Sequence, residues 1–197
     1  MSRLLWLAAL TFGAMLGPVQ GAVAQERAPE AAPQDAAASD ATAEATHQVS
    51  RLISQKFGVA RAKAEQISAA VMSAASKYSL PPALLLAIIS VESRFKEKAR
   101  GANGATGLMQ VVPAAHRQLV RNIDLTEATA NIEAGSAILH GYVQSARGDV
   151  GAALKSYGGS KAYAEKISLR AKAFAPQFGS DADAGTDASS NTGTTGD

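Results

Sequence analysis

The apolar run Ala83-Leu84-Leu85-Leu86-Ala87-Ile88-Ile89-Ser90-Val91 ends on a carboxylate, Glu92. In a helix, Leu85, Ile88 and Ile89 stand seven, four and three positions before Glu92 and so share its face. Apolar surroundings disfavour the charged carboxylate and raise its pKa, and a glutamic acid tuned toward about 6 can donate a proton near neutral pH. That is the property of a general acid. The other reading is a structural ion pair with Arg94, Lys96 or a neighbouring helix. The acids nearest in sequence, Glu97, Asp124, Glu127 and Glu133, have no comparable apolar setting. Downstream, Gly101, Gly104 and Gly107 recur every three residues, as in a loop that needs positive φ, and no Gly-Lys-Ser or Gly-Lys-Thr run marks a phosphate loop. Tyr157 and Tyr163 carry hydroxyls on helical stretches, where a core ring with a hydrogen-bonded tip is the common outcome.

The elements that must hold these residues are helical almost throughout. Val59 to Tyr78 carries Ala60, Ala64, Ile67, Val71 and Ala74 or Ala75 on one stripe, and Ser79-Leu80-Pro81-Pro82 interrupts it. Proline suits a first helical turn, so the Glu92 helix opens at Pro81 or Pro82. Being apolar all round, it belongs inside a shell of other helices. Pro113 is expected to open a short helix to about Val120. Further helices are expected over Asn131–Ala146, over Asp149–Tyr157, and after Ser160, which can cap a last helix with Tyr163, Ile167, Arg170, Ala171 and Phe174 along one side.

Composition narrows the partners. The 197 residues suit one domain with extensions. No cysteine is present, which excludes disulfides, thiolate metal sites and cysteine nucleophiles, and His47, His116 and His140 are too scattered to suggest a metal site. Residues 47–179 hold seventeen bases against eight acids, a net charge of +9 that favours an anionic partner such as nucleic acid, a membrane surface or a wall polymer. Arg3, the apolar stretch Leu4 to Val19 and Ala22-Val23-Ala24 form a signal-peptide pattern with cleavage expected after Ala24. The stretch is shorter than the roughly 20 residues that span a bilayer, so no membrane span is expected after processing. A periplasmic or secreted location follows, and that compartment together with an aromatic content of 5% argues against nucleic acid. Residues 25–46 and 180–197 hold few groups that could offset the entropy of ordering, so an acidic Ala/Pro linker and an acidic tail are expected to be disordered around a domain at 47–179.

Leu80 to Phe95, then Gly104-Ala105-Thr106-Gly107-Leu108-Met109-Gln110-Val111-Val112-Pro113, Asn131-Ile132-Glu133-Ala134-Gly135, Ser156-Tyr157-Gly158-Gly159 and Tyr163-Ala164-Glu165-Lys166-Ile167 resemble, in that order, the soluble lytic transglycosylase family. The Glu92-Ser93 pair and Gly107-Leu108-Met109-Gln110 carry most of the weight. The resemblance implies an all-α, lysozyme-like domain that cleaves the β-1,4 bond between N-acetylmuramic acid and N-acetylglucosamine in peptidoglycan, leaving 1,6-anhydro ends, with no metal and no cofactor. It makes Glu92 the catalytic acid and then the base. It sets Ser93, Gly107, Leu108, Met109 and Gln110 along the saccharide groove, with Tyr157 and Tyr163 across the cleft. Three positions depart from the family pattern, in which serine is common near Gly101, methionine near Val112 and asparagine near Gly158. Most glycoside hydrolases need two carboxyl groups; one suffices where the substrate's own C6 hydroxyl attacks. A goose-type lysozyme using Glu133 or Asp124 to activate water is the hydrolytic alternative, and a peptidoglycan-binding protein without turnover is the non-catalytic one. The resemblance also reaches small transglycosylases that open the wall for secretion or conjugation machines.

Overall fold

The computed structural model describes residues 33–179, with side chains from residue 39 onward. The expected signal peptide, the first part of the expected linker and the acidic tail lie outside the described residues. Among the described residues seven α-helices follow in order: α1 Pro33–Phe57, α2 Arg61–Tyr78, α3 Pro82–Glu92, α4 Arg117–Val120, α5 Ala128–Ser145, α6 Val150–Gly158 and α7 Lys161–Phe174. Short 3₁₀ turns lie at Ala102–Gly104 and Ala175–Phe178. Among the described residues, β-structure amounts to isolated bridges from Thr106 to Arg100 and to Val111.

α3 is the centre of the fold. Every residue from Ala83 to Ser90 is buried, as an element apolar on all faces must be. α7 and α2 pack against it, α5 packs on α2 and α6, and α6 packs on α7. The α2–α3 corner is made by Ser79 in the left-handed region (φ 51), whose N–H reaches back to Ala75 and Ser76, and Pro82 then supplies the first turn of α3.

The expected linker is corrected from Pro33 onward, where α1 already runs. Burial was the wrong criterion there, since residues 39–44 are exposed and still helical. Val49 and Ile53 are buried and anchor the far end of α1 against α2. From that nucleus the helix propagates backward through an alanine-rich sequence at little cost, because propagation needs no new nucleation and alanine is the best helix former.

Two other boundaries differ. Pro113 opens turns rather than a helix, with Ala115 and His116 donating to carbonyls three residues back, and α4 begins only after His116 leaves helical geometry (φ −128, ψ 35). α5 begins a turn before Asn131 because the Glu127 carboxylate accepts from the N–H groups of Thr129 (3.1 Å) and Ala130 (2.6 Å), a capping role that Ser, Thr, Asp or Asn fills more often. The cap at Ser160 stands where the sequence places it, accepting from Tyr163, while Asp149, expected as the first residue of its helix, caps α6 instead by accepting from Ala152.

Candidate active site

Glu92 occupies the last turn of α3, half-buried, at the helix's carbonyl end. Immediately after it the chain reverses through Arg94 (φ 53) and Phe95 (φ 61), both left-handed. Such a conformation is costly for a bulky residue. Phe95 is held there by burial and by the Phe57 ring at 4.5 Å between centroids, so the exit from α3 is fixed by packing.

The first turn of α7 brings Tyr163 across α3, and its hydroxyl donates to Glu92 Oε1 at 2.6 Å. Burial pushes the Glu92 carboxyl above its ordinary value, while the Tyr163 hydroxyl and the nearby Lys166 ammonium pull the other way without cancelling it. Burial, with the Glu92 charge added, drives Tyr163 well above the usual tyrosine value, so it remains a donor. Glu92 is thus drawn toward its protonated form and held by a permanent O–H donor.

Tyr157, in α6, takes a different partner. Its hydroxyl donates to the Met109 carbonyl at 2.8 Å, its ring meets Tyr142 edge-on at 6.4 Å, and burial raises its pKa strongly. It ties α6 to the glycine-rich loop, while Tyr163 addresses the carboxyl.

Leu108 and Met109 are fully buried and Gly107 is also buried, so their side chains support the loop. Gln110 is left-handed (φ 50), and its amide donates to the carbonyls of Gly107 (2.9 Å) and Ala99 (3.2 Å). The Ser93 hydroxyl turns back onto the Ile89 carbonyl at 3.1 Å. The residue that organises this wall, and that reading by residue type passed over, is Asn131. Fully buried, it accepts from Met109 N–H (2.8 Å) and donates to the carbonyls of Thr106 (2.8 Å) and Leu125 (2.9 Å). The signal for it was a polar residue at the apolar start of a helical stripe. Gly135 lets α5 approach the same loop, since a Cβ there would come within 2.7 Å of Met109 Cβ.

Close approach explains one of the three departures from the family pattern. At Gly158 a Cβ would lie 2.2 Å from the Tyr163 ring, whereas at Gly101 it would meet only the Oε1 tip of the Gln110 side chain, at 2.3 Å. Nothing in the structure accounts for Val112.

The other carboxylates are engaged elsewhere. Asp124 is exposed and accepts from the Thr126 hydroxyl (2.6 Å) and N–H (2.9 Å), which hold it below its usual value. Burial pushes Glu133 up, but hydrogen bonds from Lys77 and Tyr78 outweigh this and hold it low. Glu127 is lowered chiefly by the Ala130 N–H, and Glu97 accepts from Lys63 (2.9 Å) and Ala128 N–H (3.2 Å). No three His, Cys, Asp or Glu side chains among the described residues form a cluster that could hold a metal ion. None of the described helices is long and apolar enough to cross a membrane.

A solved structure of lytic transglycosylase Slt from Pseudomonas aeruginosa, an inactive mutant, shares the fold with a TM-score of 0.51 and 21% sequence identity, over 55% of this chain and 24% of that one. This chain therefore corresponds to about a quarter of that protein's length. Residues 69–176, which run from within α2 through α7, match the transglycosylase SLT domain. With that match over more than half its length, the chain belongs to the transglycosylase SLT domain family and carries its all-α, lysozyme-like fold.

Proposed function

We propose that this protein is a peptidoglycan lytic transglycosylase in which Glu92 alone supplies the acid–base chemistry. The observation that carries the reading is the setting of that carboxyl: half-buried at the end of an apolar helix, raised in pKa, and hydrogen-bonded by Tyr163 at 2.6 Å. Protonated Glu92 gives its proton to the oxygen of the β-1,4 bond as the C1–O bond breaks. The N-acetyl group of the muramoyl residue steadies the positive charge at C1. The Glu92 carboxylate then removes the C6 hydroxyl proton as O6 bonds to C1, which closes the 1,6-anhydro ring and returns the acid to its starting state. No water is consumed and no second carboxyl is needed. Asp124 and Glu133 fit the hydrolytic alternative poorly, because each carboxylate is already hydrogen-bonded by partners of its own, which lower its basicity toward water.

In this reading Tyr163 orients the acid, and the glycine-rich loop borders the saccharide groove through the half-buried Gln110, with Ser93 and Gly107 buried behind it. Leu108 and Met109 hold that loop from beneath, and Tyr157 joins it to α6. The setting is the periplasm or the secreted fraction after loss of residues 1–24, where the enzyme would serve wall turnover or a secretion or conjugation assembly that must pass the wall.

Digestion of purified peptidoglycan tests the proposal. The wild-type protein should release muropeptides with anhydro ends that resist borohydride. Glu92→Gln should lower the rate by about 100-fold to 10,000-fold, the range for general acid–base catalysis. Reducible ends would identify a hydrolase, undiminished turnover by Glu92→Gln would remove the acid, and wild-type binding without turnover would identify a binding protein.

A further inference from the structure

α6 ends on two glycines that are glycine for different reasons. Gly159 sits in the left-handed region (φ 78), and a Cβ there would meet nothing within 4 Å. Its constraint is the backbone. Gly158 is the last helical residue of α6 and has no positive φ, so its conformation is open to any residue. Glycine is a poor helix former, and at such a site alanine would ordinarily be favoured. What excludes alanine is Tyr163: a Cβ on residue 158 would stand 2.2 Å from Cδ1, 2.3 Å from Cγ and 2.4 Å from Cε1 of that ring.

Those atoms cannot step aside cheaply. Cγ is one bond from the Cβ of Tyr163, and the start of α7 is pinned by the Ser160 cap, whose hydroxyl oxygen accepts from Tyr163 N–H at 3.1 Å. Gly101 differs, because the atom in its way is the tip of the Gln110 side chain, which can swing. The ring seated on Gly158 is the one whose hydroxyl reaches Glu92 at 2.6 Å. The last residue of α6, the first turn of α7 and the last turn of α3 therefore meet through one aromatic ring.

We infer that Gly158 is a positioning residue: by having no side chain it seats the Tyr163 ring, so that the hydroxyl lies on the Glu92 carboxyl, and any side chain at 158 moves that hydroxyl away. The catalytic consequence rests on the transglycosylase reading, whereas the positioning itself does not.

The groups acting on Glu92 are Tyr163 and Lys166 from α7, and Tyr157 in α6 feels its charge. Of these, a Cβ at 158 displaces Tyr163. The Tyr163 donor favours ionised Glu92, so losing it moves the carboxyl titration upward. Glu92 should be followed by carbon NMR of glutamate-labelled protein without substrate, in the wild type, Gly158→Ala, Tyr163→Phe and the double variant. Gly158→Ala and Tyr163→Phe should each raise the Glu92 midpoint by roughly half to one pH unit, the scale of one hydrogen bond, and the double variant should go no further than Tyr163→Phe alone. Turnover should fall several-fold in both single variants.

Two outcomes overturn the inference: a folded Gly158→Ala protein with an unmoved Glu92 midpoint, or a full Gly158→Ala shift that persists when Tyr163 is already phenylalanine. Should Gly158→Ala not fold, removing the ring decides the matter. Gly158→Ala with Tyr163→Ala should melt no lower than Tyr163→Ala alone, and a double variant that still fails to fold rejects the ring as the cause. Shifted midpoints together with full activity of Glu92→Gln would retain the positioning and reject the transglycosylase mechanism.

Discussion

Glu92 stands in conflict with its surroundings, and the conflict is measurable without substrate. Its folded pKa lies above the ordinary value of 4.5, with burial the largest cause. Between the unfolded and folded values the native state binds the extra proton more tightly, so this carboxyl's contribution to stability is full below about 4.5 and is lost as pH rises through the folded value. Glu92→Gln keeps the shape, still accepts from Tyr163 and carries no charge. The variant should therefore melt close to the wild type at pH 4 and above it at pH 7.5, as calorimetry at the two values would show. A variant that melts lower at pH 7.5 would mean that the charged carboxylate is stabilised in place, against the general-acid reading.

At the scale of elements, the glycine-rich loop is a wall braced from α5. Its three evenly spaced glycines look equivalent on paper and are not. Gly104 (φ 76) is open, with nothing within 4 Å, whereas Gly107 (φ 81) faces Asn131 Nδ2 at 2.2 Å and the Leu125 carbonyl at 2.4 Å from where a Cβ would stand. Gly104→Ala should cost about 1 kcal/mol for its left-handed backbone. Gly107→Ala should cost clearly more, because an atom must also be forced against main chain. Asn131→Ala removes three hydrogen bonds and leaves the Met109 N–H and the Leu125 carbonyl buried without that partner, whereas the Thr106 carbonyl keeps the Val111 N–H. Unsatisfied buried groups cost about 1 to 3 kcal/mol each, so a loss of about 2 kcal/mol or more is expected in urea denaturation. Equal, small losses for Asn131→Ala and Gly104→Ala would show that the loop stands without its brace.

Over the whole molecule the charge is lopsided, with +9 on residues 47–179. Lys161, Lys166, Arg170 and Lys172 lie exposed along α7, the helix that also brings Tyr163 to Glu92. A wall whose peptides bear carboxylates should feel that field at close range, because screening limits it to about 8 Å at physiological salt. Cosedimentation of the Glu92→Gln protein with purified peptidoglycan should therefore weaken several-fold between 50 mM and 500 mM salt. Binding that ignores salt would assign recognition to uncharged contacts in the groove, and the basic composition to solubility.

Local properties of the chain are enough to read much of this protein. The all-apolar run that makes α3 central, the proline that opens it, the cap at Ser160, and the placing of Glu92 on an apolar face all depend on residues within a few positions of one another. The start of α1 escaped because helix propagation through alanine needs no burial, and the start of α5 because a glutamate served as its cap. What only the tertiary structure decided is which polar group meets which. Tyr157 and Tyr163 look alike on neighbouring helices, yet one reaches Met109 across 48 positions and the other Glu92 across 71. Asn131 finds the loop 22 residues away, and Gly158 matters because a ring from the next helix lies where its side chain would be. Periodicity tells a residue which side of its helix it faces. The partner waiting there is set by the packing of α3, α5, α6 and α7, and hydrogen bonds that reach only about 3 Å are decided by that packing.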